Sequence, residues 1–344
     1  MKALAGRAAS VLAASGLLGV LEAGDRRGDR LRVLAYHRVD EPEAEPDLDP
    51  GLLSATPRDF EAQMELLARR YRPISLADLI DALDTGRPLP PRAVLVTFDD
   101  GYRDFAERAW PILARVGVPA VLFVSTAFPD ADTAGGAAAG GFWWDRLHAT
   151  LARTREKAVD VAGVGRLPLG DARERREAHR RIRARVKAME HDAAMGWLDG
   201  LLAPLADLPP VHRVLGWDAL RKLAGEGVAV CAHGHRHALM TRLDDAALAE
   251  DLATSKRRIE QGLGEAAPPP VLAYPASACD ERVRRAVRSA GYRLAFGGLR
   301  GIDSLPPAED YEVMRLPVQR YATALFRAQL RPSVAWAGRM VLGR

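Results

Sequence analysis

The sequence is poor in cysteine and in long apolar runs. Its 344 residues include two cysteines, Cys231 and Cys279, too few for a disulfide framework although enough for a single bridge. The formal net charge of +4 is too small an excess to indicate nucleic-acid binding, and no aromatic-plus-basic RNA motif accompanies it. The apolar stretch from Val11 to Leu21 is too short to span a bilayer. These features exclude a disulfide scaffold and disfavour a nucleic-acid-binding protein.

The first thirty residues fit two interpretations. Lys2 and Arg7 precede the apolar stretch, as in a secretory signal segment, but Leu21 stands where a small residue would precede a cleavage site. An amphipathic helix that packs on the domain or rests on a membrane explains the segment equally well. We expect a cell-envelope location, secreted or periplasmic, with a cytoplasmic or membrane-peripheral location as the alternative.

Short apolar, β-branched runs recur along the chain and are mostly followed by helical patterns, which is typical of parallel βα units. The hydrophobic content of 48% is ample for a large core. The predicted strands are 31–35, 93–98, 120–124, 228–232, 271–274, 294–296 and 313–316. The predicted helices are 57–70, 76–84, 104–116, 218–226, 244–263 and 281–290. The predicted fold class is therefore α/β, a distorted and incomplete (β/α) barrel of about seven parallel strands over residues 31–330, with a C-terminal tail at 331–344.

The βα pattern stops between about residues 131 and 215. A Gly/Ala-rich loop at 134–141 is followed by a charged helical segment, which predicts a helical insertion and not a second enzyme. Its arginine-rich run, 173–187, could bind an acidic glycan. Because Glu174 and Glu177 are interleaved with the arginines, a solvated helix face is the better interpretation.

Two adjacent carboxylates, Asp99 and Asp100, follow the predicted strand 93–98 and precede Gly101. The carboxyl ends of barrel strands are where barrel enzymes keep their active sites. Adjacent carboxylates repel each other, so they tend to coexist when a cation holds one and leaves the other free to accept a proton. The alternative is an acidic turn that caps the following helix.

Three histidines follow another predicted strand, within residues 231–237. His233 and His237 are four residues apart, and imidazoles at this spacing can meet one cation from one side of a helical turn. His235 points elsewhere on this geometry, and Cys231 is expected to be a buried strand residue rather than a ligand. Two histidines and one aspartate leave coordination positions open, as a hydrolytic metal centre requires.

Together these segments resemble the signature of the polysaccharide deacetylase family, also described as the NodB-homology family or carbohydrate esterase family 4. Residues 97–101 look like its first motif and residues 233–237 like its second. The resemblance implies that Asp100, His233 and His237 bind a divalent metal and that Asp99 is the catalytic base. The expected metal is Zn²⁺, although Co²⁺, Ni²⁺ or Fe²⁺ suits the same ligands.

Residues 34–39 look like the opening strand of the branch that deacetylates poly-N-acetylglucosamine, in which the order of motifs is permuted. An N-terminal histidine supplies the general acid in that branch, so the resemblance implies this role for His37. The structural alternative is a polar residue that ends a strand.

Two further segments extend the resemblance. Tyr274, Pro275 and Ala276 correspond to the loop whose backbone N–H helps to form the oxyanion hole. Trp143 and Trp144 lie in a motif that recurs in bacterial members with this insertion, although aromatic packing under a lid explains them equally well.

The sequence departs from the family pattern at three places. Gly234 stands where Ser or Thr is usual, which removes a hydroxyl that can support the site. Residues 276–277 are Ala-Ser instead of Tyr-Gly, which deletes an aromatic wall but keeps the backbone N–H. The arginine that often steadies the base is absent before Tyr274, so Arg315 is the predicted substitute.

The implied function is a metal-dependent hydrolase that removes N-acetyl groups from an amino-sugar polysaccharide. The expected partners are this N-acetylated polysaccharide and, through residues 1–30, the surface of a membrane, but no nucleic acid. The first alternative is a glycan-binding barrel without catalysis. The second is an O-acetyl esterase or small-amide hydrolase on the same fold.

Overall fold

The computed structural model describes residues 30–130, 141–206, 213–307, 309–320 and 323–331. The predicted N-terminal segment, the Gly/Ala-rich loop and the C-terminal tail lie almost entirely outside the described residues. Among the residues described, no helix is long and apolar enough to cross a membrane.

Seven parallel strands form the barrel. They are β1 (Arg30–Tyr36), β2 (Ala93–Phe98), β3 (Ala120–Val124), β4 (Ala229–Ala232), β5 (Val271–Ala273), β6 (Leu294–Arg300) and β7 (Val313–Pro317). Their order around the barrel is β1-β7-β6-β5-β4-β3-β2, and β2 pairs back onto β1 from Leu31–Ala93 to Tyr36–Phe98. The predicted seven-stranded (β/α) barrel is confirmed. It has one strand fewer than a regular eight-stranded barrel, and hydrogen bonds nevertheless close the ring.

Most residues of the barrel strands are apolar, because both faces of the sheet are covered. In β2, Leu95 packs in one apolar cluster with Val33 and Phe123, whereas its neighbours Val94 and Val96 pack in another. Alternate residues of a strand therefore point to opposite faces: one set fills the interior of the barrel, and the other set packs beneath the helices. Both cysteines are free, so the single bridge that the sequence allows is not formed.

The helices of the barrel are α1 (Pro57–Arg70), α2 (Leu76–Thr85), α3 (Trp110–Val116), α7 (Trp217–Gly225), α8 (Asp245–Leu263) and α9 (Glu281–Ser289), and α10 (Thr323–Gln329) follows β7. The predicted helix at 104–116 begins with the π-helical turn Phe105–Ala109. Side chains cap the helices where the sequence indicates: Thr56 accepts from the backbone N–H of Asp59, and Ser75 forms a capping box. Shorter strands are Arg38–Val39, Leu53–Ala55, Arg72–Pro73 and Asp303–Ser304.

The insertion carries helices α4 (Trp143–Arg153), α5 (Ala172–Lys187) and α6 (His191–Leu202). They pack around an apolar cluster of their own that includes Leu147, Ile182 and Leu198. A hairpin, Ala158–Val161 with Gly165–Pro168, joins α4 to α5. The sequence did not indicate this hairpin because four-residue strands are too short for a periodicity to show.

The arginine-rich run on α5 is only partly a solvated helix face. Arg175 donates to the carbonyl oxygens of Leu151 and Thr154, where the C-terminal end of α4 leaves acceptors free. Arg183 pairs with the buried carboxylate of Asp49. The predicted solvated helix face therefore describes residues such as Arg180, which is exposed. It does not describe Arg175 and Arg183, because Arg175 bonds to α4 and Arg183 to the barrel side.

Candidate active site

The two adjacent carboxylates lie buried at the carboxyl end of β2. The backbone N–H of Asp99 donates to the carbonyl of Tyr36 on β1, 2.9 Å away, so strand pairing fixes its position. Asp100 and Gly101 then both adopt left-handed conformations, with φ of 75° and 76°. A Cβ on Gly101 would lie 2.9 Å from Cγ1 of Val124, so only glycine fits there. The resulting sharp turn brings both acidic side chains to one end of the barrel.

Asp100, His233 and His237 converge. Oδ1 of Asp100 lies 3.6 Å from Nε2 of His233 and 3.3 Å from Nε2 of His237. That oxygen is buried and has no hydrogen-bond partner among the residues described. A buried carboxylate oxygen without a partner is costly unless a cation neutralises it. Two imidazoles and one carboxylate are a donor set that fits Zn²⁺ or a similar divalent ion.

Burial and one hydrogen bond keep His233 in the form that binds a metal. Its Nδ1 lies 2.8 Å from the carbonyl oxygen of Ala273 at the end of β5, and because a carbonyl only accepts, Nδ1 carries the proton. Burial lowers the pKa of His233 to about 4, against the opposing effect of Asp99. The imidazole is therefore neutral near pH 7, with its Nε2 lone pair directed at Asp100.

The loop that carries His237 is not the helical turn that its spacing suggested. Gly234 and His237 have φ of 70° and 54°, so two left-handed residues, rather than helical periodicity, bring the second imidazole to the site. Asp251 on α8 holds the loop by accepting from the backbone N–H of His235. A Cβ on Gly234 would lie 3.0 Å from Oδ1 of Asp251. The glycine that departs from the family pattern thus matches a left-handed backbone.

Trp144 orients His237 from the insertion. The two rings lie 4.6 Å apart at 64°, and Trp144 stacks on Phe142 at 4.4 Å. Its Nε1 donates to the hydroxyl of Tyr102, which in turn donates to Asp145 at 2.6 Å. Burial raises the pKa of Asp145 to about 7. Trp144 also lines the cavity described below, so it packs against the site and borders the space for a ligand.

Asp99 is held by Arg315 on β7. Nη1 and Nη2 of Arg315 donate to Oδ1 and Oδ2 of Asp99 at 2.7 and 2.9 Å, a bidentate pair. Burial alone would raise the pKa of Asp99, but Arg315, together with His233 and His37, outweighs it and holds the pKa well below its usual range. Arg315, the predicted substitute for the arginine that steadies the base, therefore forms an ion pair with Asp99, the predicted base, and keeps it ionised.

His37 directly follows β1 and lies beside Asp99. Its Nε2 lies 4.0 Å from Oδ2 of Asp99, and 31% of its side chain is exposed. Its backbone N–H donates to Oγ of Ser54, which fixes the chain where the strand ends. His37 is thus close to both the carboxylate and solvent, as a proton donor to a ligand must be.

The loop after β5 brings only one of its three predicted residues to the cavity. The side chains of Tyr274 and Pro275 are buried, and the hydroxyl of Tyr274 donates to the carbonyl of Tyr311. Ala276, with φ of 53°, borders the cavity. The hydroxyl of Tyr274 is thus directed to the backbone of another loop, and the role of this loop in an oxyanion hole stays a prediction that concerns the backbone N–H of Ala276.

Asp100, His233 and His237 are called the Asp100 cluster below. A cavity of about 160 Å³ opens above this cluster. Its barrel side includes His37, Asp100, His237 and Ala276, and its insertion side includes Trp143 and Trp144. Arg183 and Lys187 of the arginine-rich run also line the cavity. The sequence did not indicate the remaining lining residues, which are Leu52, Val186, Met189, His191, Ala194, Met195, Leu239 and Arg242. Their contribution depends on how the insertion and the loops pack over the barrel.

Comparison with known proteins identifies the family. A family model described as polysaccharide deacetylase matches residues 86–295, more than half of the chain. The poly-beta-1,6-N-acetyl-D-glucosamine N-deacetylase of Escherichia coli K12 is 36% identical over 89 residues, which are 26% of this chain and 13% of that protein. The chain therefore matches only a small part of this curated relative.

Solved structures support the fold. IcaB from Ammonifex degensii has a TM-score of 0.53 and 19% identity, and the match covers 90% of this chain and 98% of that one. Streptococcus pyogenes deacetylase PplD has a TM-score of 0.55 and 15% identity, with 84% and 92% covered. At these identities the likeness concerns the fold alone. With the family match over residues 86–295, the buried acidic pair and the two converging histidines, the chain belongs to the polysaccharide deacetylase family.

Proposed function

We propose that this chain is a metal-dependent hydrolase that removes N-acetyl groups from an amino-sugar polysaccharide. The observation that carries the proposal is the unpartnered Oδ1 of Asp100 between two imidazoles, beside a second carboxylate that Arg315 keeps ionised. A binding module has no use for an ionised base next to three metal-ligand atoms. The relative from Escherichia coli, whose name states this activity on a poly-N-acetylglucosamine, supports the choice of substrate class.

Asp100, His233 and His237 would hold the ion. A divalent cation bound there would supply positive charge that polarises the acetamide carbonyl and acidifies water. The donor set suits Zn²⁺ first, and Co²⁺, Ni²⁺ or Fe²⁺ as well.

The side chains around this cluster have complementary proton roles. Asp99, ionised because of Arg315, accepts a proton from the water that attacks the acetamide carbon. The backbone N–H of Ala276, at the cavity wall, is the proposed donor to the oxyanion. His37 gives a proton to the sugar nitrogen as the carbon–nitrogen bond breaks. The products are acetate and a free amine on the polymer.

Two aromatic side chains of the cavity wall can contact a sugar ring. Trp143 and Trp144 offer aromatic surfaces on the insertion side, against which the apolar face of a sugar ring can pack. We therefore place the acetamido sugar between the insertion and the strand ends, with its acetyl group directed at Asp99 and Asp100.

Acetate release tests the proposal. Purified protein is incubated with Zn²⁺ and with N-acetylglucosamine oligomers of the β-1,6-linked, chitin and peptidoglycan types, and acetate is followed with time. Asp99→Asn is expected to lower the rate by about 10²- to 10⁴-fold, because it removes a general base without changing the size of the side chain.

His235→Gln is the matched control, since it removes the one histidine of the second motif that lies outside the Asp100 cluster. It is expected to retain most of the activity. Parent-like acetate release by Asp99→Asn would refute the catalytic assignment. Saturable oligomer binding without acetate from the metal-loaded parent would instead support a glycan-binding barrel, and release from O-acetyl esters alone would support an esterase.

A further inference from the structure

A second group of one aspartate and two histidines lies where the insertion meets the barrel. Asp49 caps the 3₁₀ turn Pro50–Leu52 on the barrel side, His148 lies on α4, and His179 lies on α5. One potential ligand atom from each lies within 4.8 Å of the others. Among the residues described, this is the second group with such geometry, and it shares no residue with the Asp100 cluster.

His179 has a ring nitrogen without a partner. Its Nε2 is buried and forms no hydrogen bond within the described part of the chain, and it lies 4.0 Å from Oδ2 of Asp49. A cation between this nitrogen and the carboxylate oxygen would give both atoms a partner when the ring proton is on Nδ1.

His148 completes the donor set. Its Nε2 lies 3.2 Å from the carbonyl oxygen of Pro46, which can only accept a hydrogen bond. The tautomer that donates from Nε2 leaves a lone pair on Nδ1. The rings of His148 and His179 meet edge to face with centroids 5.9 Å apart, so two helices of the insertion present imidazoles to one point.

Asp49 is fixed before any ion binds. Its Oδ1 accepts from the backbone N–H of Gly51 at 2.9 Å, and its own N–H donates to Asp145 at 2.7 Å. Oδ2 accepts from Nη1 of Arg183 at 2.9 Å and keeps a further lone pair for a cation on the side of His179. The nearby guanidinium weakens cation binding, because like charges repel at this short distance.

We propose that Asp49, His148 and His179 bind a second divalent ion of the Zn²⁺ type, which fastens the insertion to the barrel. The three donors come from one barrel loop and two insertion helices, so one ion would add a direct link to segments that already meet through hydrogen bonds, an ion pair and packing. A surface pocket lined by all three residues gives the ion access. Arg183 competes for Asp49, whereas no arginine of the described residues hydrogen-bonds to Asp100, so this site fills after the Asp100 cluster.

Zinc stoichiometry tests the proposal independently of any deacetylase activity. Tag-free, metal-free protein is equilibrated with Zn²⁺, freed of loosely bound metal, and analysed by inductively coupled plasma mass spectrometry. The parent is expected to bind two ions per chain, His179→Gln one, His233→Ala one, and the double variant none. In the His233→Ala background, Zn²⁺ is expected to raise Tm, and His179→Gln is expected to abolish that rise.

Glu177→Gln, which removes an exposed carboxylate from the same helix, is the matched control and should retain two ions. His148→Gln replaces His179→Gln if circular dichroism shows that the latter does not fold. One ion in the parent, or two ions in both the His148 and His179 variants, would overturn the proposal. If the parent binds two ions but releases no acetate, the second metal site is supported and only the proposed function is refuted.

Discussion

The two Asp/His/His clusters differ in where their arginine lies. At the barrel end, Arg315 pairs with Asp99, the carboxylate next to the proposed ligand, and Oδ1 of Asp100 has no hydrogen-bond partner in the described part of the chain. At the insertion, Arg183 pairs with Asp49, a proposed ligand itself. The first arrangement keeps a base ionised and a ligand oxygen free, whereas the second already offsets part of the ligand's charge. Under the two proposals, the same three residue types serve chemistry at the barrel end and attachment at the insertion.

The two clusters are joined by a chain of hydrogen bonds. Asp145 accepts from the backbone N–H of Asp49 through one oxygen and from the hydroxyl of Tyr102 through the other. Tyr102 accepts from Trp144, whose ring packs on His237. A change at the insertion can therefore reach a proposed metal ligand of the barrel through a connected set of buried groups.

Replacing one histidine in each cluster gives the largest expected contrast. His233→Ala should lower kcat/KM for acetate release by about 10³-fold, since metal-assisted catalysis contributes several kcal/mol. His179→Gln should retain most of the activity, because its cluster contacts no reacting group. Steady-state acetate release at saturating Zn²⁺ measures both. Equal losses in the two variants would abolish the distinction between the clusters.

Asp145→Asn tests the connection between them. Burial raises the pKa of Asp145 from its ordinary value of 3.8 to about 7, so the protonated carboxyl favours folding at low pH and this contribution is lost as pH rises from about 4 through about 7. The asparagine variant should lose this part of the pH dependence, about 4 kcal/mol. Urea unfolding of both proteins between pH 4.5 and 8 measures it. Parallel stability curves would mean that Asp145 does not titrate in this range.

Arg315→Gln tests the arginine at the barrel end. Without the guanidinium, burial raises the pKa of Asp99, so the base is protonated over a wider acidic range. The acid limb of the pH profile of kcat/KM should move to higher pH by about one unit. Arg183→Gln, the equivalent change at the insertion, should leave that limb in place. A shift of the same size in both variants would argue against a specific role for Arg315.

Two glycine substitutions provide the smallest contrast. Gly234→Ala should lower the free energy of unfolding by about 1–2 kcal/mol, because φ is 70° and the new Cβ would lie 3.0 Å from Oδ1 of Asp251. Gly196→Ala in α6, where a Cβ meets nothing within 4 Å, should raise it by about 1 kcal/mol. Denaturant unfolding measures both changes. The same sign in both would contradict the left-handed constraint on the His233–His237 loop.

Much of the barrel could be predicted from local patterns. The apolar run of β2 predicts a strand over 93–98, and the structure has it at the same bounds. The convergence of Asp100 with His233 also follows, since the carboxyl ends of parallel strands meet at one end of a barrel. The geometry of His237 could not be predicted, because spacing suggested a helical turn where left-handed residues bend the chain. Neither could the cavity lining from α5 and α6.

The sequence by itself determined the order of strands and helices and the chemistry at the strand ends, because hydrophobic periodicity and short motifs act over a few neighbouring residues. Tertiary structure alone decided the bidentate geometry by which Arg315 holds Asp99, the position of the insertion over the cavity, and the meeting of Asp49 with His148 and His179. Contacts such as Arg315–Asp99 and His179–Asp49 join residues more than a hundred positions apart. They depend on how side chains pack once the strands and helices have assembled.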